Sequence, residues 1–274
     1  MSSAAMNLRL PARSMALLSV LLLAAIITGC GRPAVVLTGT ITDAYTGQPV
    51  PEARVTIGNT TVTTDANGTF STSRWRRGDV LAVSAPSYEP LRLPLAERPE
   101  LAASDALTLT LNTALRPNTL SGTITDAYTG QPLANAQVTA TFNVTNTLSV
   151  ATGADGRYTL ADLPEQFTLS VTAPDYAPAE RTLSRATSLD LALRPAVLTG
   201  MITDRYSGQP VAGATISAGT ARATSGPDGR YRLEGIPPTA TSVEISADGY
   251  ASLSQELARA TVLDAVLRPD TLKG

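Results

Sequence analysis

The chain has 274 residues and a formal net charge of −2, with 16% charged and only 4% aromatic residues. Residues 1–29 hold Arg9 and Arg13 and no acid, so the remainder carries 19 basic against 23 acidic side chains, or −4, with no basic cluster of the kind nucleic acid requires. With no histidine and one cysteine, Cys30, the chain cannot form an internal disulfide or a His/Cys zinc site. Ser-His-Asp and Cys-His nucleophile systems are excluded for the same reason.

In chain order, Arg9 and Arg13 precede an apolar run of 13 residues, Met15 to Ile27. That is the pattern of a secretory signal, too short to span a bilayer as a stable helix. The run closes on Ile27-Thr28-Gly29-Cys30, which resembles the lipobox of bacterial lipoproteins. The resemblance implies cleavage after residue 29 and lipidation of Cys30, with residues 30–34 as a short tether. Three acyl chains exceed the two-signal threshold for stable anchoring. The implied location is outside the cytoplasm, tethered to the cell membrane or outer membrane and facing outward.

The rest of the chain writes one stretch three times. Thr38-Gly-Thr-Ile-Thr-Asp-Ala-Tyr-Thr-Gly-Gln-Pro-Val50 returns from Ser121 to Leu133 and from Thr199 to Val211, spacings of 83 and 78 residues (121−38, 199−121). Those periods suit small domains rather than solenoid repeats. Arg-Pro pairs at Arg32, Arg116, Arg194 and Arg268 frame the units, giving domains at 35–115, 116–193 and 194–268 and a tail at 269–274. In each, a first strand (Leu37–Asp43, Leu120–Asp126, Leu198–Asp204) enters the repeated turn. There Asp43, Asp126 and Asp204 can accept backbone amides, Gly47, Gly130 and Gly208 supply positive φ, and proline fixes the exit. A second strand follows from Ala53, Ala136 and Ala214. Asn67-Gly68, Asp155-Gly156 and Asp228-Gly229 then read as hairpin turns. Each unit closes on an alternating strand, as in Leu189-x-Leu191-x-Leu193. About seven short strands per unit make an all-β fold of three small β-sandwiches.

Several motifs together resemble the carboxypeptidase regulatory-like domain. They are Gly-x-Ile-x-Asp-x-x-Thr-Gly-x-Pro, Ala-x-Val, (Asp/Asn)-Gly-x-(Tyr/Phe), Leu-x-x-Leu-Pro and a late Tyr. Leu160-Ala-Asp-Leu163-Pro164 and Leu233-Glu-Gly-Ile236-Pro237 carry the Leu-Pro segment in domains 2 and 3, whereas domain 1 has Thr72-Ser-Arg-Trp-Arg-Arg77 there. The resemblance implies three tandem seven-stranded antiparallel β-sandwiches of transthyretin-like type, similar to carbohydrate-binding folds. It says little about activity, since such domains sit beside many.

Among candidate site residues, Asp43, Asp126 and Asp204 fit backbone capping better than calcium, for which no EF-hand or similar spacing exists. Trp75 is the only tryptophan, flanked by Arg74, Arg76 and Arg77, and suggests a sugar-stacking or phosphate-binding tip. Yet ungapped alignment sets it on Leu163 and Ile236, and a core plug is favoured. Tyr45, Tyr128 and Tyr206 could form a repeated ligand-binding strip, although turn tyrosines more often pack on their own loop. Catalytic residues, metals and cofactors are expected to be absent, and the chain is not expected to be an enzyme. The expectation is a membrane-anchored binding or scaffold module, with a cell-surface polysaccharide or an envelope protein as candidate partner. The alternatives are a purely structural spacer or interaction stalk, and accessory domains for a separate peptidase. Tyrosines exposed on one face would favour binding; covered ones would favour the spacer.

Overall fold

The computed structural model describes residues 35–102, 107–143 and 146–270. The signal segment, Cys30 and the last four residues lie outside them. Domain 1 contains β1 (Val36–Asp43), β2 (Arg54–Ile57), β3 (Thr60–Thr63), β4 (Thr69–Thr72), β5 (Val80–Ser84), β6 (Leu91–Pro94), β7 (Thr108–Thr110) and β8 (Thr113–Leu115). Domain 2 contains β9 (Leu120–Asp126), β10 (Gln137–Phe142), β11 (Asn146–Ala151), β12 (Arg157–Leu160), β13 (Gln166–Thr172), β14 (Ala179–Ser184) and β15 (Leu191–Leu193). Domain 3 contains β16 (Val197–Asp204), β17 (Thr215–Ala218), β18 (Ala221–Thr224), β19 (Arg230–Glu234), β20 (Ser242–Ser246), β21 (Leu253–Glu256) and β22 (Ala265–Leu267).

Each domain pairs two sheets over its own core. One sheet centres on the motif strand, in the orders β4-β1-β7, β12-β9-β15 and β19-β16-β22. The other is four-stranded and antiparallel, in the orders β3-β2-β5-β6, β11-β10-β13-β14 and β18-β17-β20-β21. Alternation explains which side chains meet: Leu37, Ile41, Val55, Ile57, Leu81 and Val83 all point inward and are essentially inaccessible. Fully burying such a side chain contributes about 1.5–3 kcal/mol, so a domain this small is held by a dozen or so residues. Leu120, Ile124, Val138 and Leu169, and Leu198, Ile202, Ile216 and Val243, occupy the corresponding places in domains 2 and 3.

Two expectations need correction. The sandwiches are not wholly antiparallel, because the closing strand runs parallel to the motif strand: β8 to β1, β15 to β9 and β22 to β16. The preceding strand lies in the other sheet, so the chain crosses between sheets and arrives running the same way as the motif strand. The closing strand also breaks in its middle, which gives domain 1 eight strands in place of seven. At the break a side-chain oxygen replaces the ladder: Asn112, Asp190 and Asp264 accept the amides of Thr40, Thr123 and Met201 at 2.8–2.9 Å. Second, the Asn-Gly and Asp-Gly turns are not hairpins. β3 pairs with β2 while β4 pairs with β1, so the turn between them is a corner from one sheet to the other. In domain 1 the Asp65 carboxylate braces that corner, accepting the amides of Asn67 and Thr69.

Candidate functional site

The repeated turn forms the trailing end of each sandwich. Asp43 ends β1, and its Oδ1 accepts the amides of Tyr45 at 2.7 Å and Thr46 at 2.9 Å. Asp126 does the same for Tyr128 and Thr129, and Asp204 for Tyr206 and Ser207. Gly47, Gly130 and Gly208 sit at φ +71°, +73° and +68°, the left-handed region that a tight return needs. The other carboxylate oxygen accepts a hydroxyl from the late tyrosine. The distances are 2.9 Å for Tyr88–Asp43, 2.6 Å for Tyr176–Asp126 and 3.0 Å for Tyr250–Asp204. One carboxylate thus ties two segments about 45–50 residues apart.

The electrostatics follow from this geometry. Burial alone would push the Asp43 and Asp126 carboxyls up. The bonds they accept from amides and from the late tyrosines outweigh that and hold both below the ordinary 3.8. Asp204 moves the same way, chiefly through the Ser207 amide. Burial, reinforced by the neighbouring carboxylate, pushes Tyr88 and Tyr176 up to about 12. Both oxygens of each aspartate are committed to donors within the domain. No group of three or more His, Cys, Asp or Glu able to hold a metal occurs among the described residues.

The Arg-Pro joint binds to this end. Glu89 and Asn118 amides pair with the carbonyls of Arg116 and Ser87, and the Leu163 amide of domain 2 then bonds Asn118. The second joint copies it: Ala177 to Arg194, Ala196 to Asp175, and Ile236 of domain 3 to Ala196. The linking tripeptide is therefore held by the sandwich before it and by the one after it. The arginine side chains reinforce this. Arg116 pairs with Glu89 at 2.7 Å and donates through Nη1 to the Leu163 carbonyl at 2.9 Å. Arg194 donates through Nε to the Tyr128 hydroxyl at 3.0 Å and through Nη1 to the Pro238 carbonyl of domain 3, with its guanidinium 6.0 Å from the centre of the Tyr128 ring. Arg232 adds an ion pair to Asp175 across the same joint.

Tyr45 and Tyr128 are half-buried at the joints, while Tyr206 is 59% exposed. The three turn tyrosines do not present one open face. A groove of about 420 Å³ runs along the second joint beside Tyr128, Tyr176, Arg232 and Arg259, but both tyrosine hydroxyls in it are already bonded. Trp75 lies at the opposite, leading end of domain 1. It is half-buried against the domain core and donates its indole N–H to the Val35 carbonyl at 2.9 Å. The late tyrosines and the joint arginines recur at fixed places in the sequence, as a motif and as frame markers, but their partners are visible only in the structure. A further repeat is the buried hydroxyl of Thr64, Thr152 and Ser225. Each accepts the amide of Ala53, Ala136 or Ala214 and donates to the carbonyl of Val50, Leu133 or Val211.

The family model of the carboxypeptidase regulatory-like domain matches residues 36–116, 119–194 and 197–268. The chain belongs to that family. Its three members are in tandem, and their boundaries fall at the Arg-Pro joints. No curated protein matches the chain. Among solved structures it is similar to the Bacillus anthracis TIE protein (14% identity, TM-score 0.28, covering 86% of this chain and 51% of that one). It is also similar to a streptococcal ancillary pilin (11%, 0.26, 86% and 99%). The shaft pilin SpaA of Lactobacillus rhamnosus GG is a third (15%, 0.25, 59% and 97%). The chain spans about half the length of the TIE protein.

Proposed function

We propose that the chain is a non-catalytic spacer of the bacterial cell envelope, tethered through lipidated Cys30, with three sandwiches clamped end to end. The observation that carries this reading is the use of the turn tyrosines. Arg194 bonds the Tyr128 hydroxyl, Tyr45 is half-buried beside the first joint, and Arg116 and Arg194 each reach a carbonyl of the next sandwich. A polysaccharide strip would need those rings free for stacking, whereas Tyr45 and Tyr128 are half-buried and the Tyr128 hydroxyl is already bonded to a guanidinium. Linkers bonded on both sides resist bending, as a spacer requires and as a flexible string of ligand-binding modules does not.

Two experiments test it. In residues 31–274, which contain no cysteine, spin labels at Thr61→Cys and Arg222→Cys should give one narrow distance distribution. That distribution should broaden when Arg116→Ala and Arg194→Ala are added. A broad distribution in the parent, unchanged by those substitutions, would overturn the spacer. In cells, Cys30→Ser should release the chain from the membrane fraction; retention would remove the tether.

A further inference from the structure

The leading end of domain 1 differs in charge from its counterparts. In domain 2 the corresponding segment sets Asp162 beside Leu163, whose carbonyl receives Arg116. In domain 3 it sets Glu234 near Ile236, and the Pro238 carbonyl receives Arg194. Each is a neutral-to-acidic surface that accepts an arginine from the sandwich before it. Domain 1 has Arg74, Trp75, Arg76 and Arg77 instead, against a single nearby acid, Asp79. The three arginines are exposed, and none enters an ion pair formed among the described residues.

The loop that carries them is held in shape. Arg74 donates its amide to the Thr72 hydroxyl at 3.1 Å, and Arg76 donates its own to Asp79 Oδ2 at 2.8 Å. The Asp79 amide returns to the Arg76 carbonyl, and the Trp75 indole is tied to Val35. Asp79 is thereby occupied with the loop backbone. Trp75, Arg74 and Arg76 line an open cleft of about 360 Å³ together with Asn59, Thr60, Ser73 and Asp79. The lining thus joins a half-buried aromatic ring, hydroxyl and amide groups and two exposed guanidinium groups to one carboxylate, whose Oδ2 already accepts the Arg76 amide. That combination suits an anionic oxygen group, which arginine meets with paired donors, lying against an amphipathic ring at an interface.

We infer that this end of domain 1 is a docking surface for anionic phospholipid headgroups. It would make a second contact between the stalk and the bilayer besides the acyl chains. The inference rests on the tether reading for its location: Cys30 precedes Val35 by five residues, at most about 18 Å of extended chain. The charge also disfavours a second copy as occupant. The trailing end that such a copy would bring carries Arg268, which would face three arginines in place of an acid and a carbonyl.

The test uses soluble residues 31–274, without lipid, and vesicles of phosphatidylcholine alone or mixed with phosphatidylglycerol. Trp75 is the only tryptophan, so its emission reports the cleft directly, and cosedimentation reports partition. Partition into the phosphatidylglycerol vesicles only is expected, weakening as salt is raised. The variant Arg74→Ala/Arg76→Ala/Arg77→Ala should lower it on the order of 100-fold, about five-fold per arginine, with thermal unfolding unchanged. Equal partition into both vesicles, or partition undiminished in the variant, would overturn the surface. So would inorganic phosphate altering the Trp75 emission when no vesicle binds. The Thr61–Arg222 label distance is read without vesicles, so a failed spacer and a failed docking surface give different results.

Discussion

The trailing ends of domains 2 and 3 carry nearly the same turn, Asp126-Ala-Tyr-Thr-Gly-Gln-Pro132 and Asp204-Arg-Tyr-Ser-Gly-Gln-Pro210, in different surroundings. Asp126 is 8% exposed, Tyr128 half-buried and Arg194 half-buried with partners on both sides of the joint. Asp204 is less covered, Tyr206 is 59% exposed and Arg268 is exposed. Yet the internal wiring is the same in both, down to the Tyr250–Asp204 bond and the pairing of Ala251 with the Arg268 carbonyl. The turn is thus a property of the single domain, and its burial is a property of the neighbour. The same residues serve as a fold element in every copy and as an interface in the copies that have a following sandwich.

Substitutions that act within the domain should not tell the two copies apart. A Cβ on Gly122 would lie 1.8 Å from the Leu189 carbonyl oxygen, and one on Gly200 would lie 1.9 Å from that of Leu263. Neither backbone carbonyl can yield, since each belongs to a residue whose amide bonds back to the motif strand. Gly122→Ala and Gly200→Ala should each cost about 3 kcal/mol or more, read as lost amide-exchange protection in β9 and β16. A large difference between them would mean that the neighbouring sandwich, and not the domain's own packing, sets the cost at this glycine.

Removing the aspartate should begin to separate the copies. Asp126→Ala leaves the Tyr128 and Thr129 amides and the Tyr176 hydroxyl without an acceptor at a covered site, a loss of about 3 kcal/mol. Asp204→Ala should cost less, because water reaches the freed donors. Denaturant titration followed by exchange in β9 and β16 compares the two directly, and equal losses would show that the neighbour shields nothing.

The pH response tests the same clamp from the tyrosine side. Tyr88 and Tyr176 are held up to about 12, so their contribution is complete below the ordinary value near 10 and declines as pH rises from there to about 12. The aspartates are held below 3.8, so theirs is intact above that value and is lost as pH falls through the lowered one. Melting temperature should therefore drop at both extremes. Tyr176→Phe should flatten part of the alkaline decline while lowering stability at neutral pH; an unchanged alkaline slope would break the assignment.

Much of this was legible from sequence because it is local and repeated. The motif strand was placed within one residue of its observed limits in all three copies, since alternation and the Asp turn fix both ends. The direction of the closing strand was not legible. Leu189-x-Leu191-x-Leu193 alternates identically whether it runs with β9 or against it, and only the sheet of β14 decides. The Asp-Gly corner misled for a related reason. Positive φ and a sharp reversal are common to a hairpin and to a step between sheets. The joint was hidden because Arg194 and Tyr128 are 66 residues apart, and nothing in either residue's neighbourhood points to the other.

The smallest expected effect is the sharpest test of the comparison. Arg194→Ala removes one bond to the Tyr128 hydroxyl, one to the Pro238 carbonyl and the guanidinium contact at the hydroxyl end of the ring, at a partly covered site. A charged hydrogen bond of this kind contributes about 1.5 kcal/mol and the ring contact about 0.5 kcal/mol, part of which water restores. A loss of about 1 kcal/mol is expected, shared by β9 and β16 because the clamp couples the two domains. Arg268 occupies the same place in the frame of domain 3, and Arg268→Ala should leave protection in β16 unchanged. If both variants cost the same, the arginine supports its own domain alone and the joint does not stiffen the chain. If only Arg194→Ala costs stability, and exchange rises on both sides of the joint, then the Arg-Pro pair has acquired a mechanical role wherever one sandwich follows another.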